Sequence, residues 1–247
     1  MWADMTALAY SAGHEQRSGV ASPGGISRCV IHRLCHDINS NVRMSASLHA
    51  KVPIEDLWVL STDADLSIRR NVALHHNASA DLLSEIALNE KEDWLVRADA
   101  ILNSNMSPET LNEIANLSDK RDGAMVLKRA LPNAPRISIK TMCVLAISPD
   151  SLVRQAVALN AGVRGNSEII ELLSNDRVAH VRANVALTQG LPHDIALHLC
   201  HDKNVLVRCN VASRKDLPPD IINIMKNDQH IDVRRTLCEH GHIATRG

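Results

Sequence analysis

The sequence predicts an all-α fold, a solenoid of about eight two-helix repeats of 26–31 residues each. Three observations carry that reading. Aromatic residues make up 2% of the 247 residues, with three Trp, one Tyr and no Phe, too few for the aromatic-rich core of a sandwich or barrel. A Val-Arg dipeptide recurs at Val42-Arg43, Val96-Arg97, Val153-Arg154, Val181-Arg182, Val207-Arg208 and Val233-Arg234, with Ile68-Arg69 as a variant. Apolar columns keep phase with that dipeptide, which is the signature of a repeat architecture.

The arginines are spaced by 26, 28, 57, 28, 26 and 26 residues, so the 57-residue gap hides one further copy, aligned at Gly123. Three residues after each of these positions stand Ala46, Val72, Ala100, Val126, Val157, Val185, Val211 and Leu237. Nine residues before them stand Leu34, Leu60, Leu88, Ile114, Leu145, Leu173, Leu199 and Met225. Two columns filled eight times out of eight do not arise by chance in a chain that is 45% hydrophobic.

Taken in order, residues 1–25 end in Ser18-Gly19-Val20-Ala21-Ser22-Pro23-Gly24-Gly25 and read as a flexible arm. Residues 26–247 form the repeat domain, and residues 26–36 supply the helix before the first Val-Arg. In each unit one helix runs through Val-Arg-x-x-Val-Ala, whose apolar positions share a face. A second helix follows a turn that often carries proline, as at Pro53, Pro108, Pro192 and Pro218, near a first turn that tolerates it. Both are too short to be stable alone and must be buried by neighbouring repeats. His240-Gly241-His242 reads as the stop of the last helix.

Val181-Arg182-Ala183-Asn184-Val185-Ala186 followed by Leu191-Pro192, and Val207-Arg208-Cys209-Asn210-Val211-Ala212 followed by Leu217-Pro218, resemble the repeats of the leucine-rich repeat variant family. The resemblance covers residues 26–247 and is weakest at 119–150. It implies a right-handed superhelix of helices, related in architecture to HEAT and armadillo arrays, and a bacterial setting. An N-terminal iron–sulfur module occurs in that family. Here the region offers only Cys29 and Cys35, where a usual cluster takes four thiolates, so no cluster is expected.

Lys and Arg number 27 against 28 Asp and Glu, a formal charge of −1, which gives no support to general nucleic-acid or membrane-surface binding. The chain lacks an apolar run of spanning length, and Met1–Gly13 lacks a secretory pattern. Its six cysteines are scattered without a C-x-x-C, so a cytoplasmic location with reduced thiols is expected.

Asp37, Asp63, Asp176, Asp202 and Asp228 each lie six residues before Arg43, Arg69, Arg182, Arg208 and Arg234. This phase predicts a structural ladder, the Asp capping the first helix and the Arg bonding it or a neighbour's Asp. On that basis Arg182 should matter more to stability than Arg214, which is out of phase. Six residues after the repeated Arg stands a polar column, His49, His75, Asn103, Arg129, Asn160, Thr188, Arg214 and His240, which suits helix C-termini or a stripe shown to a partner. Cys29, His32, Cys35 and His36 lie on one predicted helix and cannot all converge, and Cys238, His240 and His242 cluster at the other end, so no metal is expected. No cofactor or nucleophile motif occurs, so no enzyme is expected.

The departure from regularity is the fourth repeat, which loses its Arg and gathers Lys120, Arg121, Lys128, Arg129, Arg136 and Lys140 as candidate contacts for an anionic partner. The expected function is non-enzymatic binding of a partner protein, possible acidic partners included, through the extended repeat surface, in the manner of a bacterial adaptor, regulator or toxin-neutralising protein. The alternative is a nucleic-acid-binding or DNA-repair protein of HEAT-like architecture, which scarce aromatics and the neutral charge disfavour.

Overall fold

The computed structural model describes residues 27–120, 123–160 and 165–243. The expected arm of residues 1–25 lies outside them. Among the described residues the protein forms sixteen α-helices, one 3-10 turn and no strand. The first four hairpins are α1 (Arg28–Cys35) with α2 (Ser40–Ser47), α3 (Ile54–Leu60) with α4 (Leu66–Leu74), α5 (Ala80–Leu88) with α6 (Trp94–Leu102), and α7 (Pro108–Ala115) with α8 (Ala124–Ala130). A 3-10 turn at Leu131–Asn133 follows α8. The next two are α9 (Ile139–Ala146) with α10 (Ser151–Leu159) and α11 (Ser167–Ser174) with α12 (Ala179–Ala186). The last two are α13 (His193–Cys200) with α14 (Val205–Ala212) and α15 (Pro219–Met225) with α16 (Ile231–Glu239). The chain divides into two compact units between Ile137 and Ser138, four hairpins in each.

Helices of 7–9 residues need strong starts, and the sequence supplies them. Asn39, Asp65, Ser79, Asp93, Ser107, Ser138, Asp150, Asn166, Asn204 and His230 each accept a bond from a backbone N–H of their own first turn, satisfying a donor that the helix leaves open. Pro53, Pro192 and Pro218 hold the capping position of α3, α13 and α15, and Pro108 opens α7.

Within each unit the even-numbered helices pack side by side as one layer and the odd-numbered helices form the other. The core runs between the layers. It is aliphatic: Leu34, Leu60, Ile114, Leu145, Leu173, Leu199 and Met225 are buried from one layer, and Ala46, Val72, Ala100, Val157, Val185, Val211 and Leu237 from the other. Trp58 and Trp94 are exposed, so no indole of the described residues fills the core. Alanine at positions 73, 158, 186 and 212 lets neighbouring helices approach closely, which is why large rings are not needed.

The fourth repeat corrects the alignment. Val126 is exposed, and the buried positions of its first helix are Ala124, Leu127 and Lys128, followed by Leu131. The phase is shifted by one residue, and Ala124 rather than Gly123 takes the place of the repeated Arg. Gly123 instead starts α8 with φ +71°, a conformation that favours glycine, and a Cβ there would stand 3.3 Å from Nη1 of Arg97.

Candidate functional site

The repeated arginines bridge neighbouring hairpins. In the first unit Arg43 donates from Nε and Nη2 to both carboxylate oxygens of Asp63, at 2.6 and 3.0 Å, and from Nη1 to the carbonyl of Asp37 at 2.8 Å. Arg69 donates to Glu92 at 3.0 Å and to the carbonyl of Asp63 at 2.7 Å. In the second unit Arg154 engages Asp176, Arg182 engages Asp202 and Arg208 engages Asp228, each from Nε at 2.6–2.7 Å. Nη1 of each reaches the carbonyl of Ser148, Asp176 and Asp202 respectively. Arg234 repeats the carbonyl contact to Asp228.

The Arg thus bonds a neighbouring repeat's Asp, one of the two pairings expected, whereas the expected capping by that Asp is not seen. The Asp pairs with the Arg of the preceding repeat, and its backbone carbonyl takes the Arg of its own repeat. Its side chain accepts from the amide two residues on, as at Asp37–Asn39, Asp63–Asp65, Asp202–Asn204 and Asp228–His230. That turn presents the capping residue at the positions where Asn39, Asp65, Asn204 and His230 start their helices.

These pairs are largely excluded from water, the side chains of Arg182 and Asp202 being 7% and 6% exposed. Burial alone would raise the carboxyl of Asp202, but the hydrogen bonds from Arg182 and the Asn204 amide outweigh it and hold the group below the ordinary carboxylate value. Asp176 and Asp228 balance in the same way. The same contacts raise the guanidinium groups of Arg154, Arg182 and Arg208. Among the described residues Arg43, Arg69, Arg154, Arg182 and Arg208 are thus tied to carboxylates, and their charge is directed inward.

The polar column is for the most part not a stripe shown to a partner, although Arg129 and His240 are exposed. His49, His75, Asn103, Thr188 and Arg214 are all buried. Nε2 of His75 donates to the carbonyl of His49, Nδ2 of Asn103 to those of Ala73 and His75, and Nη1 of Arg214 to those of Ala186 and Thr188. His242 contacts the carbonyl of Arg214. This is a second set of ties, in which each side chain takes up the open C-terminal carbonyls of the preceding repeat's helix. Arg214, expected to matter less than Arg182, is one of them.

The basic stretch is dispersed. Lys128 is 7% exposed and donates from Nζ to Asp119 and to the carbonyl of Leu117, each at 2.6 Å. It supplies the carbonyl tie that an Arg supplies elsewhere and is not available to a partner. Arg121 lies outside the described residues. Lys120, Arg129 and Arg136 are exposed in the first unit, whereas Lys140 belongs to the second.

Some of the exposed apolar side chains, by contrast, are periodic. Five residues after the repeated Arg stand Leu48, Leu74 and Leu102 in the first unit and Leu159 and Leu187 in the second, all 40–66% exposed, with Ser213 and Glu239 at the same position of the last two repeats. Leu152, seven residues before Leu159 and so on the same helix face, and Leu206 on α14 are exposed as well. Scattered exposed leucines are ordinary, but leucines at one position of successive packed helices make a strip. Hydropathy alone reads that column as core. The signal was its position, one step beyond the two columns that already fill the core face.

No protein-family model matches the chain, and no curated protein matches it in sequence. Among solved structures it is similar to one described as a leucine-rich repeat variant with a novel repetitive protein structural motif, with a TM-score of 0.63, covering 94% of this chain and 88% of that one at 20% identity. The fold is that of the leucine-rich repeat variant. The X-ray structure of the Escherichia coli protein YibA aligns with a TM-score of 0.40 at 19% identity, over 90% of this chain and 82% of that one.

Two features of this leucine-rich repeat variant fold escaped the sequence reading. Glu92 stands in for the ladder Asp because it lies five residues before Arg97, not six, and its longer side chain still reaches Arg69. Of the four residues Cys29, His32, Cys35 and His36, Cys35 is buried, and burial pushes its thiol up to about 12. His32 and His36 meet Asp56 of the next hairpin. Cys238, His240 and His242 form no comparable group among the described residues. No described helix is long and apolar enough to cross a membrane.

Proposed function

We propose that the protein is a non-enzymatic repeat scaffold that binds a partner protein along the exposed face of the even-numbered helices. The leucine strip is the observation that carries this reading. Aliphatic side chains repeated at one position of packed helices match the apolar anchors by which helical surfaces take up protein partners. The disposition of charge supports it. Arg43, Arg69, Arg154, Arg182 and Arg208 are committed to carboxylates and Lys128 to Asp119, so the regular cations that a phosphate-reading protein would present are already engaged. A bacterial adaptor, regulator or toxin-neutralising role fits such a surface.

The test uses the full chain as bait in lysate of the source organism. Wild-type protein retains a specific partner, and the paired changes Leu74→Glu and Leu102→Glu, or Leu159→Glu and Leu187→Glu, abolish retention while circular dichroism and the unfolding midpoint stay unchanged. A partner retained equally by both variants, or released by moderate salt alone, sinks the apolar-strip reading.

A further inference from the structure

We propose that His32, His36 and Asp56 form a binding site for a single transition-metal cation of the zinc class. His32 and His36 are four residues apart on α1 and so share one face, with ring centroids 4.5 Å apart. Asp56 comes from α3, in the neighbouring hairpin, and brings the second element that a coordination site needs. One donor atom from each of the three lies within 4.8 Å of the others. The distances from the Oδ1 atom of Asp56 are 2.7 Å to Nδ1 of His32 and 3.8 Å to Nδ1 of His36.

The carboxylate of Asp56 is the unusual member. Its side chain is 1% exposed, and Oδ2 has no hydrogen-bond partner among the described residues. A buried carboxylate oxygen left open is costly, and the pattern of this protein is otherwise to satisfy such groups, as Asp63, Asp176, Asp202 and Asp228 show. No arginine pairs with Asp56 among the described residues. What faces it is a pair of imidazoles whose rings remain accessible from solvent, and that of His32 lines an open cleft of about 600 Å³ together with Cys29 and Glu55. A metal entering there replaces the bond from His32 to Asp56 and the bond from Nδ1 of His36 to the carbonyl of His32, and leaves water to complete its coordination.

The donor set selects the class of ion. Two imidazoles and one carboxylate suit zinc, cobalt or nickel, whereas calcium and magnesium take shells of oxygen. Arg28 and Arg33 line the same cleft and oppose any cation held by net charge alone. Binding therefore depends on imidazole coordination, which hard cations do not gain.

The experiment uses the full chain, stripped with a chelator and titrated with Zn²⁺ and, in parallel, Co²⁺ and Mg²⁺. One equivalent of Zn²⁺ binds, Co²⁺ develops visible absorption in the same stoichiometry, and Mg²⁺ gives neither. The double variant His32→Gln and His36→Gln changes two exposed side chains, so it retains its circular dichroism and loses the bound equivalent. His193→Gln, which removes a comparable His–Asp pair whose carboxylate, Asp220, is 54% exposed rather than buried, binds Zn²⁺ as the wild type does. Loss of binding in Asp56→Asn with retained helicity completes the assignment. No stoichiometric binding by the wild type, or equal binding by the His32/His36 double variant, overturns it.

Discussion

Arg182→Ala is the sharpest perturbation of the ladder. The guanidinium donates to both oxygens of Asp202, at 2.6 and 2.8 Å, and to the carbonyl of Asp176 at 2.6 Å. Its removal leaves the Asp202 carboxylate, 6% exposed, with the Asn204 amide as its remaining donor in this set. Breaking one side of a buried ion pair typically costs about 3–5 kcal/mol. The stranded group has an alternative, which is to take up a proton. Holding neutral at pH 7 a carboxyl whose ordinary value is 3.8 costs about 4.4 kcal/mol, at 1.36 kcal/mol per pH unit, and this caps the charge part of the loss. The expected loss is therefore about 3–4 kcal/mol at pH 7, read by urea unfolding under circular dichroism. Arg177→Ala, at an exposed neighbour, should stay within about 0.5 kcal/mol. The pH dependence is a second reading. In the wild type the carboxyl of Asp202 is depressed, so its contribution is fully present above the unfolded value of 3.8 and is lost as pH falls through the lower folded value. In the variant a neutral Asp202 is favoured by acid, so the gap to wild type narrows from pH 7 towards pH 5. A loss under 1 kcal/mol, or a gap that widens on acidification, would refute the ladder as a buried, charge-dependent tie.

Three further outcomes follow from the same ties. Arg214→Ala should destabilise about as much as a buried double carbonyl loss allows, roughly 2–4 kcal/mol, because it strands the carbonyls of Ala186 and Thr188; chemical denaturation beside Arg182→Ala compares them directly, and a loss below 1 kcal/mol contradicts it. Lys128→Met should cost about 1–3 kcal/mol by releasing Asp119 and the Leu117 carbonyl, while the exposed Lys120→Met leaves the unfolding midpoint unchanged. His49 and His75 are both lowered from 6.5, first of all by burial, so the unfolded chain takes up protons below about 6.5 that the folded chain refuses, and stability falls as pH drops through that range. Replacing both by Asn, the residue at position 103 of the same column, should flatten the slope of stability between pH 6.5 and 5, and an unchanged slope rules out their part in it.

The hairpins were legible because each is local: a cap, a periodic apolar face and a proline or polar turn lie within some thirty residues. The Val-Arg phase located the even-numbered helices, and Leu173, Val185, Leu199 and Val211 are buried as that phase requires. What it did not disclose is the second set of ties between repeats, made by the polar column. The bond from Asn103 to the Ala73 carbonyl joins residues thirty apart, and nothing in the local sequence distinguishes that buried amide from an exposed one. The fourth repeat misled by one residue because Gly123 looks like a lost Arg, when its positive φ marks a helix start. Asp56 was invisible for another reason. It occurs in one hairpin only, so no column announced it, and its meaning arises only when α3 brings it beside His32.

The side-chain ties answer a physical need of this kind of stack. A core of Ala, Val and Leu columns buries similar area in more than one register, since one small apolar side chain can replace another against the neighbouring helix with little change in energy. Hydrogen bonds do not slide in that way. A guanidinium that meets a carboxylate from one repeat and a carbonyl from another fixes both partners at once. The fourth repeat shows that this requirement belongs to the geometry and not to the residue type, because Lys128 reaches the Leu117 carbonyl and Asp119 from a position that elsewhere holds Ser, Ala, Ile or Cys. Once the regular cations are spent on register, the recurring surface feature left on the even-numbered helices is aliphatic, at Leu48, Leu74, Leu102, Leu159 and Leu187. A partner that recognises the repeat as a repeat must therefore read that strip, and its affinity should depend on buried apolar area far more than on salt.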